Sequence, residues 1–177
     1  MRLLFVFFLT VLGLSNSGYS QNENYPIPPE TDKLLFYIQR NHNANTIIYD
    51  ANFDEKGVLI SDEPIDVYWR RYDEQGQRME LRTIEQWYAY GVDCKKDNSN
   101  LNYKVGLVAE KDKEFWLNQT SAFKAVLVTL INNKLSELEH MYIFADNSGI
   151  WPKVKYIELF GKDIITNEDT YQKLVID

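Results

Sequence analysis

The fold is decided by the stretch Ile65-Asp66-Val67-Tyr68-Trp69-Arg70-Arg71-Tyr72, in which apolar and polar side chains alternate. Successive side chains of a β-strand point to opposite faces of the sheet. One face of this stretch carries Ile65, Val67 and Trp69, and the other carries Asp66, Tyr68, Arg70 and Tyr72. We therefore predict a strand whose first face packs in the core and whose second face meets solvent.

Short segments of the same kind recur along the chain, rich in β-branched and aromatic residues and separated by turn-forming residues. The stronger candidate strands are 35–40, 46–52, 65–72, 103–110, 123–131, 141–145 and 154–160, and the weaker ones are 79–81, 92–95, 114–117 and 171–176. Asp54-Glu55-Lys56-Gly57 and Asp73-Glu74-Gln75-Gly76 have the composition of type I turns and are interpreted as hairpin connections. The pattern predicts a single all-β domain over residues 34–177. We expect an antiparallel sandwich or flattened barrel of about eight to ten strands with one short helix.

One segment departs from the strand pattern and predicts that helix, over residues 83–90. Thr83 and Gln86 have the spacing of a capping box, and Gly91 suits the left-handed residue that ends many helices. An apolar stripe at helical spacing, which we expect to plug an end of the sheet structure, consists of Ile84, Trp87 and Tyr88. A second segment, 134–139, fits either a turn or part of a helix.

The first twenty residues predict a secretory signal peptide. Arg2 precedes a short apolar run, and the small residues Gly18 and Ser20 fit a signal peptidase that cuts before Gln21. The run is too short for a membrane span, which needs about 20 apolar residues, so no membrane anchor is expected after cleavage. Residues 21–33 are polar and proline-rich and predict a flexible lead-in. We therefore expect an exported domain, periplasmic or extracellular.

The net charge and the cysteine content argue against several classes of protein. The chain carries a formal charge of −7 at neutral pH and has no basic block. Such a chain is a poor ligand for nucleic acid or for an anionic bilayer surface. Cys94 is the only cysteine, so no intramolecular disulfide can form. Because Cys94 is also far from the cleavage site, we expect no lipid attachment there and a soluble mature protein.

The sequence offers no strong metal or catalytic motif. Asp50, Asn52 and Asp54, followed by Gly57, alternate oxygen-bearing side chains as a calcium loop does. Glu55 stands where that loop requires glycine, so we interpret the segment as a turn and predict neither a metal nor a cofactor. Carboxylates are plentiful, but their spacing does not show which two would face each other in a glycosidase. The catalytic residues, if any, therefore stay unknown.

The loop after the first strand is dense in hydrogen-bonding side chains, and loops held by rigid strands are frequent binding sites. The candidate ligand-binding residues are Arg40, Asn41, Asn43 and Asn45 in this loop and Tyr68, Arg70 and Tyr72 on the polar face of the 65–72 strand. The asparagines have an alternative role as turn formers. The leading hypothesis is non-catalytic binding of a polar small molecule, a glycan or an envelope partner protein. The alternative is a hydrolase of envelope glycans or peptides that uses a carboxylate pair.

Four stretches, 35–50, 63–69, 89–91 and 155–161, share the motifs of a known family. Together they resemble an uncharacterised family of secreted bacterial proteins, domain of unknown function 4833, over about residues 34 to 161. The motif residues in this sequence are Arg40, Asn41, Asn45, Tyr49, Pro64, Tyr68, Trp69, Tyr90 and Gly91. The resemblance implies an exported bacterial protein, and it brings no activity with it.

Overall fold

The computed structural model describes residues 25–97, 102–149 and 152–176, which form one sheet of eleven strands. The strands are β1 (Leu34–Arg40), β2 (Asn43–Ala51), β3 (Ile65–Arg71), β4 (Gln77–Glu80), β5 (Val92–Lys96), β6 (Asn102–Leu107), β7 (Glu110–Ser121), β8 (Lys124–Ile131), β9 (Lys134–Asp146), β10 (Lys153–Asp163) and β11 (Asp169–Val175). Between β4 and β5 lies the helical segment, an α-helical turn, Thr83–Glu85, that continues as a π-helical turn, Gln86–Tyr90. Each of the candidate strands, the weaker ones included, overlaps one of these strands.

The sheet curls because strand β9 is shared by its two halves. The strand order is β4-β3-β2-β1-β9-β8-β7-β6-β5, and β10 and β11 extend from β9 as a third branch. Residues 134–137 of β9 pair with β8, whereas residues 140–143 pair with β1 in parallel. The other strand pairs are antiparallel. The all-β, mostly antiparallel fold with one short helical segment is therefore confirmed, with one strand more than expected, and the ambiguous segment 134–139 belongs to β9.

The core lies on the inner face of this curled sheet. Its fully buried side chains include Phe36, Ile38, Ile47, Tyr49, Phe115, Leu117, Leu127, Ile131, Leu138 and Met141. On β3, Ile65 and Trp69 are 2% and 5% exposed, and Val67 packs against the same cluster. The inner face predicted for this strand is confirmed, and it forms one wall of the core.

The prediction that the opposite face of β3 meets solvent is wrong for Tyr68, which is 6% exposed. The Tyr68 hydroxyl donates to Asp50 Oδ2 at 3.0 Å, and the Arg78 guanidinium lies 3.9 Å from the centroid of the Tyr68 ring. Arg78 in turn donates to Asp66 Oδ2 at 2.8 Å, which fixes it over the ring. A long side chain from the neighbouring strand therefore covers a face that strand alternation alone leaves open.

The helical segment lies where it was predicted, but its ends differ from the expectation. The backbone N–H of Arg82 donates to Glu85 Oε2 at 2.9 Å, so Glu85 and not Gln86 closes the first turn. Gly91 is extended, with φ −66° and ψ 167°, and is not left-handed. Its N–H bonds to the carbonyl of Gln86, the i+5 spacing of a π-turn.

The buried face of the helical segment also differs from the expectation. Ile84, Trp87 and Tyr88 do not plug the sheet; they are 62%, 71% and 77% exposed. Tyr90 turns inward instead, with its ring edge-on to Trp69 at 5.4 Å between centroids. Its carbonyl accepts a hydrogen bond from the Tyr49 hydroxyl at 2.8 Å. The residue that packs inward is therefore not one of the three that share the predicted apolar stripe.

Both predicted turns are present. Asp54 Oδ1 accepts the backbone N–H groups of Lys56 and Val58 at 2.9 Å, and Gly57 has φ +76°. This carboxylate therefore stabilises its own turn, in the segment that the sequence predicts as a hairpin connection. The second turn joins β3 to β4 through a 3₁₀ turn, Tyr72–Glu74, and a glycine, Gly76, with φ +74°.

The predicted signal peptide, residues 1–20, and the first part of the lead-in lie outside the described residues. From Tyr25 to Lys33 the chain contains no strand. The side-chain amide of Gln39, on the outer face of β1, donates to the carbonyl of Pro26 at 3.0 Å, and Pro28 is buried. Within the described ranges, no helix has the length and apolar character that a bilayer span requires.

Candidate functional site

A cavity of about 420 Å³ opens at the end of the curled sheet where β1 and β3 end and β2 begins. We call it the mouth cavity, and its lining consists of Arg40, Asn43, Asn45, Trp69, Arg71, Met79, Arg82 and Glu85. Its volume lies within the range of about 300–1,000 Å³ that is usual for small-molecule sites. Three of its eight lining residues are arginines, although the whole chain is acidic.

Strand alternation explains why polar side chains meet at this place. Ile47, Trp69 and Met79 form one row across β2, β3 and β4 on the inner face. Asn45 and Arg71 stand two residues beyond this row on β2 and β3, so they share its face. The apolar inner face thus ends in a polar rim at the mouth, and the rows below it belong to the core.

Arg40 is the cation of the mouth cavity that neutral side chains hold in place. Its Nη1 donates to the Tyr90 hydroxyl at 2.9 Å, and its Nη2 donates to Asn43 Oδ1 at 3.3 Å. The guanidinium carbon lies 4.7 Å from the centroid of the Trp69 ring, which adds a cation–π contact. Neutral partners therefore hold this side chain in place without neutralising its charge.

The two asparagines support the loop and the neighbouring turn. Asn43 Oδ1 accepts the backbone N–H of Asn45 at 3.1 Å as well as the Arg40 guanidinium. Asn45 is 6% exposed, and its Oδ1 accepts the backbone N–H of Asp73 at 3.1 Å. Both side-chain oxygens thus accept hydrogen bonds from the protein, and both residues, which line the cavity, also carry amide N–H groups that can donate.

Arg71 and Arg82 each have one carboxylate partner. Arg71 Nη2 donates to Glu74 Oε1 at 2.6 Å, and this arginine side chain is 26% exposed. Arg82, which is 75% exposed, donates to Glu85 Oε1 at 2.7 Å. Glu85 Oε2 also accepts the indole N–H of Trp69 at 3.3 Å. Burial opposes ionisation of Glu85, but the hydrogen bonds from Arg82 and Trp69 outweigh it, so its pKa lies below the usual value.

The lining of the mouth cavity therefore has a local positive excess. Glu85 is its one carboxylate, and that group is already bound to Arg82 and Trp69. Arg40 has no carboxylate partner among the residues that the structure describes. The buried Nε atoms of Arg40 and Arg71 also lack a hydrogen-bond acceptor there. A half-buried guanidinium group without a carboxylate partner, as Arg40 has, is suited to a ligand that carries an anionic group.

Comparison with known proteins identifies the family. The sequence matches the family described as Domain of unknown function (DUF4833) over residues 36–173. The chain belongs to this family. The match confirms the resemblance drawn from the sequence motifs and extends it into β11. Neither the comparison with curated proteins nor the comparison with solved structures gives a match.

Three of the residues on which the sequence resemblance rests, Arg40, Asn45 and Trp69, line the mouth cavity. Of the seven ligand-binding candidates, the structure brings together Arg40, Asn43 and Asn45 at this cavity. Asn41 lies beside it but faces β9, where its side-chain amide donates to the Ala145 carbonyl at 2.8 Å and its Oδ1 accepts the Ala145 N–H at 2.9 Å. This side chain therefore extends the β1–β9 pairing.

The other three candidates lie away from the mouth cavity. Tyr68 and Arg70 are on the outer face of β3, and Arg70 Nη1 donates to the Gly76 carbonyl at 3.3 Å. Tyr72 lies in the 3₁₀ turn after β3, and its buried hydroxyl has no partner in the part of the chain that is described. The structure thus separates the outer face of β3 from the 40–45 loop.

Sequence reasoning missed five of the lining residues: Trp69, Arg71, Met79, Arg82 and Glu85. Strand alternation predicts the position of Arg71, because it stands two residues after Trp69 and must share its face. The prediction that Trp69 lies in the core is confirmed, and its ring also contacts the guanidinium of Arg40 at the cavity. No local signal places Arg82 and Glu85 there, because their position depends on how the helical segment packs over β3.

Proposed function

We propose that this protein binds a small molecule that carries an anionic group and hydroxyl groups, in the mouth cavity and without chemical conversion. The observation that supports it most is Arg40, a half-buried guanidinium held by neutral partners with no carboxylate beside it among the described residues. A ligand carboxylate or phosphate would supply the missing counter-charge and accept two parallel hydrogen bonds.

The remaining lining residues are the reason for proposing hydroxyl groups on the ligand. Asn43 and Asn45 carry amide N–H groups that can donate, and the Glu85 carboxylate, although it already accepts from Arg82 and Trp69, has lone pairs left to accept a further hydrogen bond. Such a mixed set fits a polyhydroxylated anion better than a bare anion, because each hydroxyl both donates and accepts. An acidic sugar of one ring is therefore the ligand class that we favour.

At the mouth cavity, the placement of the carboxylates does not support the alternative function, a hydrolase. A glycosidase needs two carboxyl groups that face each other across the bond to be cleaved, about 5–10 Å apart. The lining of the mouth cavity holds one carboxylate, Glu85, and its hydrogen bonds lower its pKa. The buried Glu110 and Glu158 do not line this cavity. Binding is therefore the function that we put to the test.

The experiment compares two adjacent arginines that lie on opposite faces of β3. Binding of glucuronate is measured by titration calorimetry and by thermal shift, with glucose as the uncharged control and inorganic phosphate as the bare anion. We expect glucuronate to bind wild-type protein and Arg70→Gln alike. Arg71→Gln and Arg40→Gln should each weaken binding by about tenfold or more, the loss expected for a charge-assisted hydrogen bond.

Each part of the proposal would be contradicted by a different outcome. Equal binding of glucose and glucuronate would remove the anionic requirement. Loss of binding in Arg70→Gln but not in Arg71→Gln would place the site on the outer face of β3. If none of the three probes binds, the mouth cavity is not a site for this ligand class.

We also propose that the protein is exported and acts in the periplasm or outside the cell. The support is the pattern at the start of the chain, in which Arg2, an apolar run and the small residues Gly18 and Ser20 occur in the order of a secretory signal. Intact-mass measurement of the protein recovered from an exporting host should give a mature chain that begins near Gln21. A full-length chain retained in the membrane fraction would contradict this proposal.

A further inference from the structure

A second cavity, of about 590 Å³, lies between the start of β3 and the start of β5. We call it the acidic cleft, and its lining consists of Asp62, Glu63, Pro64, Ile65, Asp66, Val67, Glu80, Gln86, Trp87, Gly91, Val92, Asp93, Cys94 and Val108. The helical segment contributes Gln86 and Trp87 to this cleft, whereas it contributes Glu85 to the mouth cavity. The cleft is therefore a separate place on the molecule.

The cleft has the opposite charge to the mouth cavity. Five of its lining residues are carboxylates, and none of the lining residues is basic. Arg78 pairs with Asp66 and Glu80, and Lys95 pairs with Asp93. Asp62 and Glu63 have no ion pair within the described ranges. The cleft thus keeps a negative excess that favours a cationic partner.

Two strand edges without partners flank the cleft. Strand β4 pairs with β3 only from Tyr68 onward, so the stretch 65–67 of β3 has β2 on one side and no described strand on the other. Strand β5 pairs with β6 alone, so its second edge is equally free of any described strand. Free edges present backbone N–H and C=O groups that can pair with an added strand.

Trp87 supplies an apolar surface beside these edges. It is 71% exposed and stands in the lining of the cleft, next to the exposed Tyr88. A large exposed aromatic side chain with carboxylates around it can contact both the stem and the cationic head of a lysine or arginine. The apolar residues that were expected to fill the sheet are thus available to a partner.

We propose that the acidic cleft receives an extended segment of a partner protein that carries lysine or arginine side chains and adds as a β-strand between β3 and β5. The free edges supply the backbone pairing, and Asp62, Glu63 and Trp87 select the basic side chains. A second copy of this acidic chain would bring like charge to the cleft, so a basic partner is the better complement. This inference is independent of the ligand proposed for the mouth cavity.

The test uses a capped seven-residue peptide in which lysine and valine alternate, flanked by glycine. Affinity is measured by titration calorimetry and by the shift of the protein's tryptophan emission, since the peptide itself has no tryptophan. The part of the shift that comes from Trp87, one of four tryptophans, is identified by comparison with Trp87→Ala. Two matched peptides isolate the two kinds of contact. In the first, glutamate replaces lysine, and in the second, alternate backbone nitrogens are methylated so that the peptide cannot pair with a strand edge.

We expect the lysine peptide to bind and both matched peptides to bind at least about tenfold more weakly. Trp87→Ala should weaken binding by a similar factor, and its circular dichroism should match the wild type because the side chain is exposed. Asp62→Asn with Glu63→Gln should weaken binding severalfold. The control pair Asp112→Asn with Glu55→Gln, which removes two exposed carboxylates outside the cleft lining, should leave binding unchanged.

Three results would overturn the proposal. Equal affinity for the methylated peptide would show attraction of charge without strand addition. Equal affinity of Trp87→Ala would place the peptide elsewhere on the surface. Concentration-dependent dimerisation that Trp87→Ala abolishes would mean that a second copy of the chain, and not a basic partner, occupies the cleft.

Discussion

The mouth cavity and the acidic cleft share the helical segment, yet they differ in how their side chains are held. In the mouth cavity, Arg40 is fixed by Tyr90, Asn43 and Trp69 before any ligand arrives. In the cleft, Trp87 is exposed and two strand edges are free. A small ligand benefits from fixed donors, because little ordering accompanies its binding. An extended segment can bring its own backbone pairing, so it needs fewer fixed side chains.

The largest difference between the two regions should appear when each tryptophan is replaced by alanine. Trp69 is 5% exposed and Trp87 is 71% exposed. Trp69→Ala should lower the free energy of unfolding by about 3–5 kcal/mol, since it leaves a cavity under Arg40. Trp87→Ala should change that free energy by no more than about 0.5 kcal/mol. Denaturant titrations of both variants measure the two values, and equal losses would contradict the assigned burial.

These two tryptophans also show how far the sequence predicts the fold. Alternation along 65–72 predicts correctly that Trp69 lies in the core. The two-residue period of a strand determines which residues share a face, and the apolar face packs inward. The helical spacing of Ile84, Trp87 and Tyr88 predicts only that they share a face. Whether that face points to the core or to solvent depends on the π-turn, in which Tyr90 packs inward, and no local sequence pattern predicts this orientation.

The candidate site was predictable only in part for a similar reason. Arg40, Asn43 and Asn45 follow from the composition of their loop, and Arg71 follows from alternation. Arg82 and Glu85 enter the mouth cavity through long-range packing of the helical segment. Asn41 was chosen for the same composition, yet the parallel pairing of β1 with β9, about a hundred residues away in sequence, turns it to the backbone of Ala145. The composition of the loop therefore predicts that it lies at the site, whereas the strand order determines which of its side chains face the cavity.

Acid should destabilise the fold through a residue outside both cavities. His140 is 3% exposed and stacks between Tyr37 and Phe160, at 4.6 and 4.9 Å between centroids. Neither ring nitrogen has a hydrogen-bond partner among the described residues, and burial lowers the pKa of His140 from 6.5 to about 4. The unfolded chain therefore binds more protons between these pH values. The stability due to neutral His140, on the order of 3 kcal/mol, is complete above about pH 6.5 and is lost as the pH falls to about 4.

The control for this pH dependence is His140→Phe, which keeps an aromatic ring between the same two neighbours. Its free energy of unfolding should fall less between pH 7 and pH 4.5 than that of the wild type, because the remaining acid sensitivity comes from carboxylates that both proteins share. Denaturant titrations at the two pH values give the difference. Parallel profiles would show that His140 stays accessible to protons in the folded protein.

A substitution of Asn41 tests where the binding site in the mouth cavity ends. Its side chain makes two hydrogen bonds to the backbone of Ala145, at 2.8 and 2.9 Å. Asn41→Ala should therefore lower the free energy of unfolding by about 1–2 kcal/mol and leave glucuronate binding unchanged, measured by denaturant titration and calorimetry. Asn43→Ala is the matched variant inside the cavity, and it should weaken binding because it removes a partner of Arg40. A loss of binding in Asn41→Ala without a loss of stability would move the site toward β9.

The smallest effect is expected for Arg82→Gln, a change on the helical segment that both cavities share. The Arg82 side chain is 75% exposed, and ion pairs of such exposed side chains contribute little to stability. The denaturant midpoint should therefore match that of the wild type, and glucuronate affinity should fall by no more than about fivefold. The affinity of the cleft for the lysine peptide should not change, because Arg82 does not line it. If calorimetry shows that both affinities change together, the helical segment moves as a unit, and the two cavities form one coupled site.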